Sequence, residues 1–216
     1  MSSTALTLHG YFRSSAAYRV RVGLNLKGLS WRHEGVHLLR TEQLSAAYRG
    51  LNPQGLVPTL VDGDFVLTQS LAILEYLDEL HPDRPLLPSD VRGRARARQI
   101  AASIACEIHP LNNLRVLKHL ELKLDFDQVA KQEWIAHWIK EGFAPLEVEL
   151  SKTASGVFCL GQSPTIADCC LVPQVFNAIR FNVDMTPYSR IRAIAQACGE
   201  LDAFKLAHPS MQPDAN

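Results

Sequence analysis

The chain has 216 residues, 22 Lys plus Arg against 22 Asp plus Glu, and a formal net charge of zero. Apolar residues make up 47% and charged residues 20%, which allows a packed core and argues against disorder. A duplex-binding protein needs a basic excess to displace counterions, and no uncharged apolar run approaches the ~18 residues of a bilayer span, so neither nucleic acid nor membrane is expected as a partner.

Residues 1–8 lack the basic flank and apolar core of an export signal, so a cytoplasmic protein is expected. The five cysteines (106, 159, 169, 170 and 198) are odd in number, two are adjacent, and no C-x-x-C pair occurs. Small buried thiols in a reducing compartment are expected rather than a disulfide framework or a zinc knuckle.

In chain order, residues 5–11 read as a β-strand. Residues 16–27 place Ala17, Val20 and Leu24 on one helical face, with Gly28 as the C-terminal stop. Residues 31–36 form a second strand. Residues 43–51 form a short helix ended by Asn52-Pro53. Residues 59–61 and 65–67 flank Asp62-Gly63-Asp64, a hairpin signal. Residues 70–80 carry Leu71, Leu74, Leu77 and Leu80 on a helix closed by His81-Pro82. The order β-α-β-α-β-β-α predicts a mixed four-stranded sheet with three helices, its first two strands parallel and its last two an antiparallel hairpin.

Pro82, Pro85 and Pro88 make a stiff linker, beyond which the pattern is helical throughout. Ile100, Ile104 and Ile108 mark a long helix that Pro110 kinks. Trp134, Trp138 and Phe143 lie on the next. Thr165-x-x-Asp168 reads as a capping box for a third. Residues 191–204 make one helix, or two broken at Gly199. The division is an α/β domain over residues 1–84 and an all-helical domain over 90–216. The tail, 210–216, is polar and ordered only if it docks.

Four groups of residues carry possible chemistry. Ser14-Ser15, where the first strand meets the first helix, cap that helix or hold an anion with hydroxyl and free amides. Val57-Pro58 precedes the hairpin; a cis bond there turns the Val57 backbone outward, toward an extended peptide. Gln69-Ser70 opens the third helix, with Ser70 as N-cap or as carboxylate ligand. Arg13, Arg115 and Arg180 are surface residues or, if two or more converge, a carboxylate clamp. His33 and His37 lack a third partner, so no metal is expected.

Together these motifs are far more specific than apart. The runs Tyr11-Phe12-Arg13-Ser14-Ser15-Ala16-Ala17-Tyr18-Arg19-Val20-Arg21, Leu51-Asn52-Pro53 through Val57-Pro58-Thr59-Leu60, and Gln69-Ser70-Leu71-Ala72-Ile73-Leu74-Glu75-Tyr76-Leu77 resemble the zeta class of glutathione transferases. So do residues 108–117, 167–175 and the closing Gln212-Pro213-Asp214, and the likeness spans nearly the whole chain. The class is known for maleylacetoacetate isomerase activity, and bacterial maleylpyruvate isomerases share its fold and reaction.

The resemblance implies glutathione transferase architecture: a thioredoxin-like domain, then an all-helical one, in a homodimer. It implies glutathione as cofactor, with Ser14, Ser15 and Ala16 at the thiol, Val57 and Pro58 along the peptide backbone, and Gln69 and Ser70 at the γ-glutamyl end. Gln43, His109 and 113–115, including Asn113 and Arg115, line the remainder. Arg180 matches an arginine assigned to the substrate carboxylate, with Arg13 and Arg115 beside it. Many members read Ser-Ser-Cys where this chain has Ala16, so hydroxyls rather than a protein thiol are expected to activate sulfur. The expected reaction is cis–trans isomerisation of a dicarboxylate-type enedione by thiolate addition, rotation and elimination, maleylacetoacetate giving fumarylacetoacetate. The alternatives are maleylpyruvate isomerase, a general transferase acting on halogenated acids, and a non-catalytic glutathione-fold module.

Overall fold

Leu6, Leu8 and Gly10 are buried and alternate with half-buried Thr7 and His9, so β1 (Leu6–Gly10) has the period of two of a strand covered on both faces. The computed structural model describes residues 6–152 and 156–215; Ala5, where the strand was expected to begin, lies outside them. β1 pairs in parallel with β2 (Trp31–Gly35), Leu8 opposite His33. On its other edge it pairs antiparallel with β3 (Thr59–Asp62), Leu8 opposite Leu60, and β4 (Phe65–Thr68) completes a hairpin on β3. The strand order is β2-β1-β3-β4, the expected mixed sheet.

The crossover is α1 (Ser15–Leu26). It ends as a Schellman motif: Leu29 N–H bonds Leu24 C=O at 3.0 Å, Gly28 N–H bonds Asn25 C=O at 2.9 Å, and Gly28 supplies φ +66°. α3 (Ser70–Leu80) lies so close to α1 that a Cβ on Gly23 would run into Leu74. Leu6, Leu8, Val20, Leu24, Leu60, Ile73 and Leu77 form the buried cluster between sheet and helices. Each such side chain contributes about 1.5–3 kcal/mol relative to exposure.

The helix expected over 43–51 is shorter. Residues Leu38–Arg40 and Glu42–Leu44 form two 3₁₀ turns, and α2 spans only Ala46–Leu51. Thr41 at φ +62° breaks the first turn, and the Ser45 hydroxyl accepts from Tyr48 N–H at 3.2 Å, so the cap falls two residues beyond Gln43.

Contacts divide the chain into Met1–Leu86 with Gly199–Asn216, and Leu87–Cys198. The expectation of a second domain running from 90 to 216 is corrected here, because the C-terminal segment packs on the first unit. The buried Lys27 ammonium pairs with Asp78 at 2.9 Å and donates to the carbonyls of His81 and Arg84, which pins the proline-rich stretch. α9 (Asp202–Ala207) follows α1, with Asn25 Nδ2 donating to Ala203 C=O at 2.8 Å.

In the second unit α4 (Val91–Ala102) is capped by Asp90. Ile100, Ile104 and Ile108 are all buried, as expected. The distortion precedes Pro110: residues Ser103–Ile108 widen into a π-helical turn and His109–Asn112 tighten into a 3₁₀ turn. Pro110 has no N–H and its ring crowds the carbonyl four residues back, so the helix changes pitch upstream of it. α5 (Leu114–Leu124), α6 (Gln128–Lys152) and α7 (Ile166–Arg180) follow. α8 (Ser189–Gly199) stops at Gly199, so the stretch 191–204 is two helices. The expected capping box is present: Thr165 Oγ1 accepts from Ala167 N–H at 3.2 Å, and Asp168 Oδ2 accepts from Thr165 N–H at 2.8 Å. Cys159, Cys169, Cys170 and Cys198 are buried, whereas Cys106 lies exposed on the π-helical turn. Among the described residues no helix is long and apolar enough to cross a membrane.

Candidate functional site

In the first unit Ser14 is the N-cap of α1. Its backbone is extended (φ −67°, ψ 118°), and its hydroxyl oxygen accepts from Ala17 N–H at 3.2 Å. Capping occupies one lone pair and leaves the hydroxyl proton to donate elsewhere, so the capping and anion-holding readings of Ser14 are compatible. Ser15 is buried as the first helical residue and Ala16 is half-buried as the second. Their amides have no acceptor within the helix, as at any helix start. Arg13 donates to the Tyr11 hydroxyl at 3.0 Å and lies 5.0 Å over the Phe12 ring.

The Val57-Pro58 peptide bond is cis. Before it, the Leu56 carbonyl accepts from the Tyr48 hydroxyl at 2.6 Å and from Asn52 Nδ2 at 2.7 Å, which fixes this loop from α2. Asn52 is buried; its N–H closes α2 on the Tyr48 carbonyl, while its own carbonyl accepts from Gly55 N–H and its side chain accepts from Gln54 N–H, so it shapes the loop as well as ending a helix. Gly55, at φ +60°, sits against the Gln43 carbonyl, where a Cβ would approach to 3.0 Å. Gln43 Oε1 is buried without a hydrogen-bond partner among the described residues. An amide oxygen in that state fits a ligand N–H.

Ser70 is not the N-cap expected of it. Gln69 holds the cap position at φ +71°, ψ 112°, and Ser70 is already helical. The buried Ser70 hydroxyl accepts from Arg19 Nη1 at 3.2 Å, so it too retains a proton to donate. Gln69 Nε2 donates to Gln54 Oε1 at 3.0 Å. A non-glycine residue held at positive φ costs on the order of 1–3 kcal/mol and clusters at ligand clamps. Arg19 escapes a sequence reading because it looks like a helix-surface arginine; it is 2% exposed. The available signal is the run Tyr18-Arg19-Val20-Arg21-Val22, in which charge interrupts an apolar stretch on every face.

The first unit thus brings together Ser14 and Ser15 on α1, Ser70 on α3 through Arg19, Gln54 with Gln69, and Gln43 with the Gly55 turn. The remaining predicted residues lie in the second unit. His109 opens the 3₁₀ turn, half-buried. Asn113 caps α5, its Oδ1 accepting from Arg115 N–H at 3.1 Å, and Arg115 is exposed. Arg180, exposed in the last turn of α7, lies 4.8 Å over the Phe181 ring. His33 and His37 have other duties: His33 Nε2 is 3.0 Å from Asp214, and His37 Nδ1 accepts from Arg40 N–H. Among the described residues no cluster of His, Cys, Asp and Glu gathers as metal ligands do.

The family model described as "Glutathione S-transferase, N-terminal domain" matches residues 8–85. The maleylpyruvate isomerase of a Ralstonia species is 47% identical over 97% of this chain and 100% of its own. A solved maleylpyruvate isomerase, described as a bacterial zeta-class glutathione S-transferase, superposes with a TM-score of 0.96 at 47% identity over 97% of this chain and 100% of that one. The maleylacetoacetate isomerase of Anaeromyxobacter dehalogenans, solved with glutathione in its active site, gives a TM-score of 0.90 at 44% identity over the full length of both chains. That enzyme has also been solved with dicarboxyethyl glutathione and citrate.

Proposed function

The chain belongs to the zeta class of the glutathione S-transferase family, and from that premise we propose that it is a glutathione-dependent cis–trans isomerase converting maleylacetoacetate to fumarylacetoacetate. The observation that carries the reading is Ser14: its oxygen is occupied by the helix cap while its proton remains available at the start of α1. When bound, glutathione supplies a thiolate whose addition and loss turn a double bond into a rotatable single bond and back.

The work left to the chain is to keep that sulfur ionised. A thiol of pKa about 8.5 is only a few per cent ionised at pH 7. Lowering its pKa by two units requires about 2.7 kcal/mol of differential stabilisation. The N-terminus of α1 supplies up to ~2 kcal/mol in a partly buried site, and a hydroxyl donated to an anion about 1.5–3 kcal/mol. Ser14 and the Ser15 and Ala16 amides therefore suffice without a base or a metal, and Ala16 in place of a cysteine removes nothing that the sum requires. Ser70, braced by Arg19, and Gln69 with Gln54 hold the γ-glutamyl end. Gln43, Val57 and Pro58 serve the rest of the peptide, with His109, Asn113 and Arg115 carried over from the family motif.

Arg180 recognises substrate carboxylate, because a guanidinium fork matches it at two points; Arg13 and Arg115 are further candidates for that charge. A dicarboxylate-type substrate is supported by the citrate and dicarboxyethyl glutathione of the Anaeromyxobacter enzyme. The family's homodimer is consistent with zero net charge, which puts little repulsion in the way of self-association. Five free thiols suit a reducing, cytoplasmic compartment.

A second reading, isomerisation of maleylpyruvate by the same addition and elimination of thiolate, has its own support in the 47% identity to relatives named maleylpyruvate isomerase. Assaying both acids side by side, with and without glutathione, tests the proposal. It expects turnover only with glutathione, glutathione returned unchanged, and the higher kcat/KM on maleylacetoacetate. Preference for maleylpyruvate selects the second reading, and turnover without glutathione contradicts both.

A further inference from the structure

Asp214 brings the C-terminal segment of the first unit onto the loop between β1 and α1. Its Oδ2 accepts a hydrogen bond from Phe12 N–H at 2.9 Å, across 202 positions of sequence. Its Oδ1 stands 3.0 Å from His33 Nε2, without the alignment of a hydrogen bond. The Phe12 carbonyl accepts from Arg21 Nη2 at 2.9 Å, and Arg21 Nε donates to the Ala207 carbonyl at 3.0 Å. Arg21 is fully buried, and burial pulls its guanidinium down to about 10 while Tyr18 and Asp214 oppose the shift, so it remains a cation at neutral pH. Phe12 is therefore held at its N–H by an anion and at its C=O by a cation.

Two residues further on is Ser14. Its N–H closes a tight turn on Tyr11 C=O at 2.9 Å, so only Arg13 separates the gripped residue from the helix cap. The backbone has two soft dihedrals per residue, and a turn this short passes a displacement of Phe12 on to the direction of the Ser14 hydroxyl. The segment does not need Asp214 to hold its own shape. Upstream, Gln212 Nε2 already ties it to the carbonyls of Leu206 and His208, both at 2.9 Å. The carboxylate is spent on the loop and on the end of β2, where a Cβ on Gly35 would come within 3.3 Å of Asp214 Cβ.

We propose that Asp214 is a positioning residue for the isomerase: by gripping the Phe12 amide it aims the Ser14 hydroxyl at the glutathione sulfur. This rests on the reading of Ser14 given above. Three variants of the full chain test it: Asp214→Ala; Gly35→Ala, which displaces the carboxylate without deleting it; and Ser14→Ala. For each, the ultraviolet thiolate absorbance of bound glutathione at neutral pH is read beside kcat, KM and the unfolding midpoint. Asp214→Ala is expected to lower the thiolate fraction about threefold and to raise KM for glutathione about fivefold, with a smaller loss of the same kind in Gly35→Ala. Parent-like thiolate absorbance in both, with a loss in Ser14→Ala, overturns the role of Asp214 and leaves that of Ser14 standing. Parent-like absorbance in Ser14→Ala removes the group through which Asp214 acts and overturns both. If Asp214→Ala does not fold, Gly35→Ala decides alone: lowered thiolate supports the proposal and a parent-like spectrum overturns it.

Discussion

A hydroxyl can accept and donate at once, and in the first unit both assigned hydroxyls are placed to do so. Ser14 accepts from Ala17 N–H and Ser70 from Arg19 Nη1, each keeping one proton for a ligand. Gln69 is the strained residue between β4 and α3, at φ +71°. Gln69→Gly relieves that backbone while removing the side chain. It is expected to leave the unfolding temperature unchanged or higher, since relief of about 1–3 kcal/mol outweighs the 0.5–1 kcal/mol entropic cost of glycine. KM for glutathione rises in the same variant. A drop in both stability and glutathione affinity would show that Gln69 is held there for packing rather than for ligand. Arg180→Ala is expected to raise KM for the acid substrate tenfold or more, about 1.4 kcal/mol, without changing KM for glutathione. A substrate KM within about twofold of the parent removes Arg180 from recognition.

Elements were legible where their signals are local. The stop of α1 at Gly28, the hairpin around Gly63 and the Thr165–Asp168 box all depend on residues within six positions of one another, and each was readable in sequence, whereas Gly199 left one helix or two open until the structure showed two. The start of α2 was not, because Gln43 and Ser45 both suit a helix entrance and only the left-handed Thr41 decides between them. Ser70 was misplaced by one residue because serine's preference for caps is outweighed by its bond to Arg19, 51 positions away. The support of the site by Arg19 and Asp214 rests on contacts over 51 and 202 positions, and Arg21, nine positions from the Phe12 carbonyl that it holds, is itself tied to Ala207 186 positions away; a single sequence carries no spacing signal for these long contacts.

Asp168 ties the start of α7 to Cys159. It is fully buried and accepts from Cys159 N–H and Thr165 N–H, both at 2.8 Å. Burial raises its pKa, against the lowering effect of those backbone bonds. In the window between the unfolded carboxylate value, about 4, and the raised folded value, the native state keeps a proton that the unfolded chain has lost. The contribution of Asp168 to stability therefore falls as pH rises through that window. Asp168→Asn is expected to destabilise by about 1–3 kcal/mol, and the advantage of the parent over it shrinks as pH rises from about 4 toward neutrality. Urea unfolding of both chains across that range measures this; a difference constant in pH contradicts the ionisation of Asp168.

At the scale of the whole molecule, sheet, helices and C-terminal segment of the first unit converge on one short loop. β1 delivers Tyr11, α1 receives Ser14, and Asp214 and Arg21 hold Phe12 between them. This loop and the α1 N-terminus together are what keeps the sulfur of bound glutathione anionic at neutral pH in the proposed mechanism. The direct measurement is a pH titration of the ultraviolet thiolate absorbance of bound glutathione in the parent, Ser14→Ala and Ser14→Gly. Alanine at the cap costs about 1 kcal/mol of stability and glycine only a few tenths, yet both remove the same hydroxyl. The parent midpoint is expected about two units below that of a free thiol, and it rises by about one unit or more, and equally, in both variants. A parent midpoint at the free-thiol value, or variants that titrate with the parent, would contradict it.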